Sequence, residues 1–171
     1  MTTDIVNTYL TKEISLFQSA RESTPVGITT VKAFLDDCKY GKYRPQIERL
    51  RAEPDKSKRD ALKKRLHAVT IQSEPCDKRN KESCTNNSIV CLDFDGIENI
   101  AELKRHLLAL PYVLAVFTSA SGNGLVALCA LDEPAMDLKP VLEAIQKDIE
   151  CPIDMSGSDI SRLRFATYDP I

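Results

Sequence analysis

The sequence lacks both long hydrophobic runs and a strong net charge of either sign. No apolar stretch approaches the roughly 18 residues that a membrane-spanning helix needs, and no basic region followed by an apolar one opens the chain. The 23 Lys and Arg nearly balance the 25 Asp and Glu, which excludes a uniformly basic protein that coats nucleic acid but not a local basic patch. We therefore expect a protein with no membrane partner.

Several motifs with a defined chemistry are also missing. The sequence contains no P-loop and no dinucleotide-binding glycine fingerprint, and nothing supports a Ser-His-Asp arrangement. The six cysteines include no tight Cys-x₂₋₄-Cys pair, which argues against a zinc knuckle. Several of them lie inside apolar runs, where cysteine is usually a small buried hydrophobic residue. This usage predicts a reduced, cytoplasmic chain.

The length of 171 residues fits one compact unit, which the composition divides into two parts. We expect an α/β module with basic helices over residues 1–72 and a core over residues 73–171. Residues 42–65 hold ten Lys and Arg against four acidic residues, a charge of about +6. Such a segment is either a solvated helical face or a surface that binds nucleic acid.

Hydrophobic periodicity predicts the elements of the first part. Thr29 or Thr30 is a candidate amino-terminal cap for a helix that ends near Cys38. The remaining predictions are strands at 13–17 and 67–72, helices at 43–51 and 55–66, and a polar loop at 73–87.

The second part has a clearer order of elements. Strands are predicted at 88–94, 112–118 and 124–131, with helices at 99–110 and 135–149 and further strand at 153–154 and 162–168. The resulting β-α-β-β-α-β order predicts an α+β fold: a ferredoxin-like (RRM-like) antiparallel sheet with helices on one face, preceded by a small helical module. Because many functions use that arrangement, function has to be argued from candidate sites.

The first candidate site lies where strand 88–94 ends. Alternation along a strand puts Asp93 and Asp95 on the same face, where two bare carboxylates repel each other. A hard divalent cation such as Mg²⁺ removes this repulsion, since it favours a few carboxylate oxygens together with substrate phosphate. The alternative is a strand that simply runs into an Asp-Gly turn.

Two further segments offer groups that bind anions. The small-residue loop 119–124 lets its backbone approach a ligand, and successive N–H groups there can form an anion-binding nest. Segment 153–164 contains acids, hydroxyls and two arginines, of which Arg162 and Arg164 share a strand face and form a candidate phosphate clamp. The alternatives are an ordinary hairpin turn and a surface turn with solvated charges.

These three segments, in this order, resemble the motifs of the archaeo-eukaryotic primase superfamily. The matching stretches are LDFD at 92–95, SGNGL at 121–125, and ID at 153–154 followed by Arg162. More narrowly, the chain is similar to the BT4734-like domain, which precedes virulence-associated-protein-E-type helicases in bacterial mobile elements. The ending SRLRFATYDP at 161–170 also resembles this family. Related proteins continue from here towards a helicase, so we expect a fragment or a short stand-alone version.

The resemblance implies a primase/polymerase-like nucleotidyltransferase domain that acts in replication of a mobile element. Its partners would be nucleoside triphosphates, a single-stranded DNA template and a helicase domain or subunit, and its cofactor would be Mg²⁺ or Mn²⁺. The implied catalytic and metal-binding residues are Asp93, Asp95 and Asp154, of which Asp154 would also help to activate the attacking 3′-hydroxyl. The implied nucleotide-binding residues are Ser121, Gly122, Asn123, Gly124, Arg162 and Arg164. The implied nucleic-acid-binding residues are Lys58, Arg59, Lys63, Lys64 and Arg65.

The sequence departs from the superfamily pattern at Val126. The family's histidine, which contacts the phosphates of the incoming nucleotide, would fall at this position. A valine cannot donate a hydrogen bond or offset charge. A second hypothesis is therefore a catalytically inactive primase-fold module that binds nucleic acid or recruits a helicase, and a third is a plain structural domain.

Overall fold

The computed structural model describes residues 3–170, and the fold is α+β, as predicted. Its regular elements are six α-helices and seven β-strands within those residues. The helices are α1 Thr3–Leu10, α2 Val31–Lys39, α3 Arg44–Ala52, α4 Lys56–Lys63, α5 Ile100–Leu108 and α6 Lys139–Ile149. The strands are β1 Glu13–Phe17, β2 Gly27–Thr30, β3 Ala68–Val69, β4 Ile89–Asp95, β5 Val113–Thr118, β6 Gly124–Ala130 and β7 Arg164–Phe165. No helix in this part of the chain is long and apolar enough to cross a membrane.

The strands form two antiparallel sheets. The first has the order β2-β1-β3-β7, and the second has the order β4-β6-β5. In the second sheet Asp93 of β4 lies opposite Val126 of β6, which in turn lies opposite Phe117 of β5. The short connection between β5 and β6 makes the predicted hairpin.

The two faces of the second sheet are covered differently. Leu92 and Phe94 on one face pack with Leu107 of α5 and Leu142 of α6, so the helices lie on one face as predicted. The opposite face, which includes Cys91, packs into the core that the first sheet supplies. Successive strand residues point to opposite sides, and the continuous apolar run of β4 therefore serves two cores.

The last strand is where the topology differs from the ferredoxin-like prediction. Instead of joining the second sheet, β7 pairs with β3 in the first sheet, with Ala68 opposite Phe165. The outer edge of β4 is occupied by the side chain of Gln72, whose Oε1 accepts from the Cys91 amide at 3.0 Å. The same side chain donates from Nε2 to the carbonyls of Gly157 (2.9 Å) and Asp159 (2.8 Å). A side chain thus pairs with one backbone amide on the edge that a fourth strand was expected to fill.

Residues 153–154 also differ from the predicted strand. The Asp154 amide donates to the Asp93 carbonyl at 3.0 Å, but the chain then enters a short 3₁₀ helix, Met155–Ser158. The Asp154 side chain caps that helix by accepting from the Ser156 amide. A capping aspartate stabilises the start of a helical turn, and this ends the extended segment after one contact.

Candidate functional site

A cavity of about 230 Å³ is lined by residues from all three predicted segments, but Asp154 is not among its lining residues. The side of β4 that faces the first sheet contributes Asp93 and Asp95, and the β5–β6 loop contributes Ser119, Ala120 and Ser121. The remaining polar lining comes from Lys63, Arg162 and Arg164. Segments that are far apart in sequence therefore meet because β7 and the turn before it lie across the end of β4.

Asp93 lies between two arginines. Nη1 of Arg164 donates to Oδ1 of Asp93 at 2.5 Å, and Nη2 of Arg162 donates to Oδ2 at 3.4 Å. The same Nη2 of Arg162 donates to Oδ2 of Asp154 at 2.9 Å. One guanidinium group therefore joins two of the three predicted carboxylates, and the arginines compensate the charge of Asp93.

Arg164 is the most enclosed charge of the cavity, with a side chain only 8% exposed. Burial acts to lower its pKa, but Cys91 and Asp93 outweigh burial and raise the pKa of Arg164 above its ordinary value. Its Nε atom is buried and has no hydrogen-bond partner within residues 3–170. Arg164 is thus a permanent cation with one donor still to be satisfied.

Asp154 is a well-ionised carboxylate. Its Oδ2 accepts from the Ser156 hydroxyl at 2.6 Å, and its Oδ1 accepts from the Ser156 amide at 2.9 Å. These hydrogen bonds, together with the charge of Arg162, lower the pKa of Asp154 below its ordinary value. The Ser156 hydroxyl also contacts Arg162.

Asp95 differs from the other two carboxylates. It is exposed, and its side chain makes no hydrogen bond or ion pair with any residue from 3 to 170. In the same part of the chain, no group of three His, Cys, Asp or Glu side chains is placed to hold a metal ion. Magnesium is commonly bound by one or two carboxylates plus substrate phosphates. Asp95 and Asp93 fit a cation that arrives with phosphate, not one caged by the protein alone.

The loop between β5 and β6 is a tight turn. The Gly122 amide donates to the Ser119 carbonyl at 3.0 Å, and Gly122 has a positive φ of 82°. The hydroxyls of Ser119 and Ser121 lie 3.1 Å apart at the cavity. Of the predicted loop residues, Ser121 lines the cavity, whereas Gly122, Asn123 and Gly124 do not.

Val126 lines the cavity, as the strand alternation predicts, and is the cross-strand neighbour of Asp93 in the second sheet. Its side chain is only 3% exposed and belongs to the core shared by the two sheets. An apolar contact therefore occupies the position at which the resemblance in sequence implies a histidine.

The predicted nucleic-acid-binding residues separate into several environments. Lys63 lines the cavity, and its Nζ lies 5.3 Å from the centre of the Phe165 ring. Arg59 donates to the carbonyls of Glu53 and Pro54, and so holds the turn between α3 and α4. The remaining three, Lys58, Lys64 and Arg65, are exposed.

Sequence reasoning missed Arg51 on α3. Its Nη2 donates to the Ser119 carbonyl at 3.0 Å and to the Thr167 hydroxyl at 3.2 Å, and its Nε donates to the Ala120 carbonyl at 3.3 Å. In the sequence Arg51 is one of ten cations within residues 42–65, and no local pattern distinguishes it.

Comparison with known families matches a large part of the chain. A family model described as "BT4734-like, N-terminal domain" matches residues 61–171. The chain belongs to this family. The BT4734-like match includes Lys63, Asp93 and both cavity arginines, but Arg51 lies outside it. No curated protein and no solved structure matches the chain.

Proposed function

We propose that this BT4734-like domain is a primase/polymerase-like domain whose cavity binds the phosphates of a nucleoside triphosphate together with Mg²⁺ or Mn²⁺. It would act on a single-stranded DNA template in replication of a mobile element. The observation that carries the proposal is the lining of one cavity by residues of all three superfamily-like motifs, Asp93 and Asp95, Ser121, and Arg162.

The charges of the cavity support phosphate as the ligand. Lys63, Arg162 and Arg164 place three cations around a space that two serine hydroxyls also line. Guanidinium groups bind phosphate oxygens in a bidentate geometry, and such charge-assisted hydrogen bonds are the strong ones. The excess of donors over acceptors fits an anionic ligand.

The two arginines suit different tasks. Arg162 is 32% exposed and shared between Asp93 and Asp154, so an incoming phosphate can recruit it. That exchange frees Oδ2 of Asp93 for a divalent cation, on the same strand face as Asp95, which has no side-chain partner within residues 3–170. Asp154, by contrast, keeps its two hydrogen bonds from Ser156. A bound cation would neutralise phosphate charge in this cavity. The lowered pKa of Asp154 keeps it ionised, which suits it to holding a cation more than to taking a proton.

The exposed basic side chains on and after α4 are the proposed contact for the template. Lys58, Lys64 and Arg65 lie within five residues of Lys63 in the sequence, and Lys63 lines the cavity. Binding through such side chains is electrostatic, independent of sequence and weakened by salt. A helicase domain or subunit is the proposed protein partner of the BT4734-like domain.

A second function is favoured by one observation at the same site. Val126 gives the cavity no phosphate donor where the superfamily has histidine, and Asp93 already has arginine partners on both oxygens. A module with this cavity could bind nucleic acid or recruit a helicase without turning over nucleotide.

A primer-synthesis assay with single-stranded template, nucleotides and Mn²⁺ or Mg²⁺ separates these functions. Asp95→Asn tests the site without disturbing any side-chain hydrogen bond among residues 3–170, and Asp77→Asn, at another exposed aspartate, is the matched control. Synthesis that is lost only in Asp95→Asn supports the enzyme. Template binding without synthesis, unchanged in Asp95→Asn, favours the binding module. A protein that binds neither nucleotide nor template is a structural domain.

A further inference from the structure

The β5–β6 loop is held from behind by Arg51, a residue of α3 that the family match does not reach. The guanidinium group contacts two successive carbonyls, those of Ser119 and Ala120. It is anchored in turn by the Thr167 hydroxyl, which donates to the Thr118 carbonyl at 2.9 Å. Arg51 thereby ties the loop to the end of β5 and to the segment after β7.

The orientation of these carbonyls fixes the orientation of the amides beside them. In a trans peptide the C=O and the following N–H point in opposite directions, and no cis peptide occurs among the described residues. Because the carbonyls of Ser119 and Ala120 face Arg51, the N–H groups of Ala120 and Ser121 face away from it. Neither of these two amides has a hydrogen-bond partner within residues 3–170.

The side away from Arg51 is the cavity. Ser119, Ala120 and Ser121 line it, whereas Arg51 does not. The cavity is also lined by the cation of Arg164, which Asp93 holds in place. Within residues 3–170, the two backbone donors thus remain without acceptors where the loop lines the cavity, and successive free N–H groups make an anion-binding concavity.

Gly122 allows the close approach on which this arrangement depends. A Cβ added there would lie 3.2 Å from Nε and 3.3 Å from Cδ of Arg51, and the positive φ of 82° also disfavours any other residue. Arg51 is half-buried, and burial lowers its pKa from the ordinary arginine value, which still leaves it charged at neutral pH. A lysine could not reproduce the contact, because a single ammonium is a point charge and not a planar fork.

We infer that Arg51 is a positioning residue that aims the amides of Ala120 and Ser121 at a phosphate group of the bound nucleotide. The inference rests on the proposed function and adds a phosphate subsite built from backbone donors. Arg51 itself does not touch the ligand. The site therefore needs a helix from the basic amino-terminal part in addition to the family-matched segment.

The test is titration of the ¹⁵N-labelled full chain with inorganic tripolyphosphate in the absence of metal. In the wild type we expect the amide resonances of Ala120 and Ser121 to shift with the binding curve. Arg51→Met, which keeps the aliphatic stem, should weaken binding about tenfold, the size expected for lost charge-assisted or oriented hydrogen bonds. Arg51→Lys should not restore affinity, and Arg49→Met, at an exposed arginine of the same helix, should bind as the wild type does.

Two results would overturn the inference while leaving the proposed function in place. One is equal affinity of Arg51→Met and Arg49→Met. The other, which needs no variant to fold, is wild-type binding that shifts the arginine side chains but not the amides of Ala120 and Ser121. Failure of the wild type to bind either tripolyphosphate or nucleotide would instead reject the proposed function, and the inference with it.

Discussion

Asp169 accepts hydrogen bonds from both the amide nitrogen (2.7 Å) and the hydroxyl (3.0 Å) of Thr118, the last residue of β5. Nζ of Lys104 on α5 donates to the same carboxylate at 3.0 Å. Burial acts to raise the pKa of Asp169, but these three donors outweigh it and hold the pKa below its ordinary value. The carboxylate thus fixes the strand end from which the cavity loop departs.

This lowered pKa predicts a defined loss of stability in acid. Because Asp169 binds its proton more weakly when folded, its stabilising effect is complete above the unfolded pKa of about 3.9 and is lost as the pH falls through the lower folded value. At pH 7 we expect Asp169→Asn to lower the free energy of unfolding by about 2 kcal/mol, the range of a hydrogen bond to a charged group. Urea unfolding at pH 7 and pH 3 should show the difference from the wild type shrinking in acid. An equal difference at both values would contradict the assignment.

Substitutions of the two carboxylates of β4 should have different effects on stability. Asp93→Ala removes the partner of the buried Arg164 and should cost about 3 kcal/mol, as the breaking of a buried ion pair does. Asp95→Ala removes an exposed side chain and should change stability by less than about 0.5 kcal/mol. Unfolding in guanidinium chloride measures the free energy of unfolding of both variants. Similar costs for the two variants would mean that the pair with Arg164 does not contribute to the fold.

At Gly124, β4 approaches β6 too closely to leave room for a side chain. A Cβ there would lie 2.3 Å from the Phe94 carbonyl oxygen and 3.0 Å from Oδ1 of Asp95. Gly124→Ala must push the strands apart, and we expect it to destabilise the chain by about 3 kcal/mol. Gly27→Ala, on β2, meets no atom within 4 Å and should unfold at the wild-type temperature. Thermal unfolding of the two variants tests this prediction. A wild-type unfolding temperature for Gly124→Ala would refute the close approach of the strands.

Val126→His tests whether the cavity can be given the missing phosphate donor. Asp93 lies directly opposite in register and would favour the charged form of the new imidazole. We expect nucleotide affinity in the presence of Mn²⁺ to rise about tenfold, because the variant adds one charge-assisted hydrogen bond. Calorimetry measures this affinity. Val126→Ala should leave that affinity nearly unchanged. If the histidine variant folds and binds no better, an arginine already fills the role or the cavity never takes a nucleotide.

Elements whose signal is local could be predicted from the sequence. The continuous apolar run of β4 predicted a strand, and the short loop between β5 and β6 predicted the pairing of those two strands. Thr30 caps α2, as predicted, through its contact with the Ala33 amide. By contrast, α1 and β2 were not predicted from the sequence. The four residues of β2 alternate weakly, and none of them is fully buried.

The candidate site was predictable in part for the same reason. Asp93 and Asp95 stand out because acids rarely end an apolar strand, and Arg162 and Arg164 because they alternate. The contacts that Gln72, Arg51 and Asp169 make depend on pairing between segments that are distant in sequence. A glutamine that caps a strand edge, or one arginine among ten cations, has no periodic signature.

The pairing of β7 with β3 has a consequence for experiments with pieces of this protein. Residues 61–171, the stretch that sequence similarity delimits, leave out Ile14, Phe34 and Ile47, which share a core with Val69 and Cys91. Expressed alone, that stretch would expose the apolar side of both its sheets and lose the strand beside β3. The boundary of the family match is therefore not the boundary of cooperative folding, and an excised family segment should aggregate where the longer chain stays monodisperse.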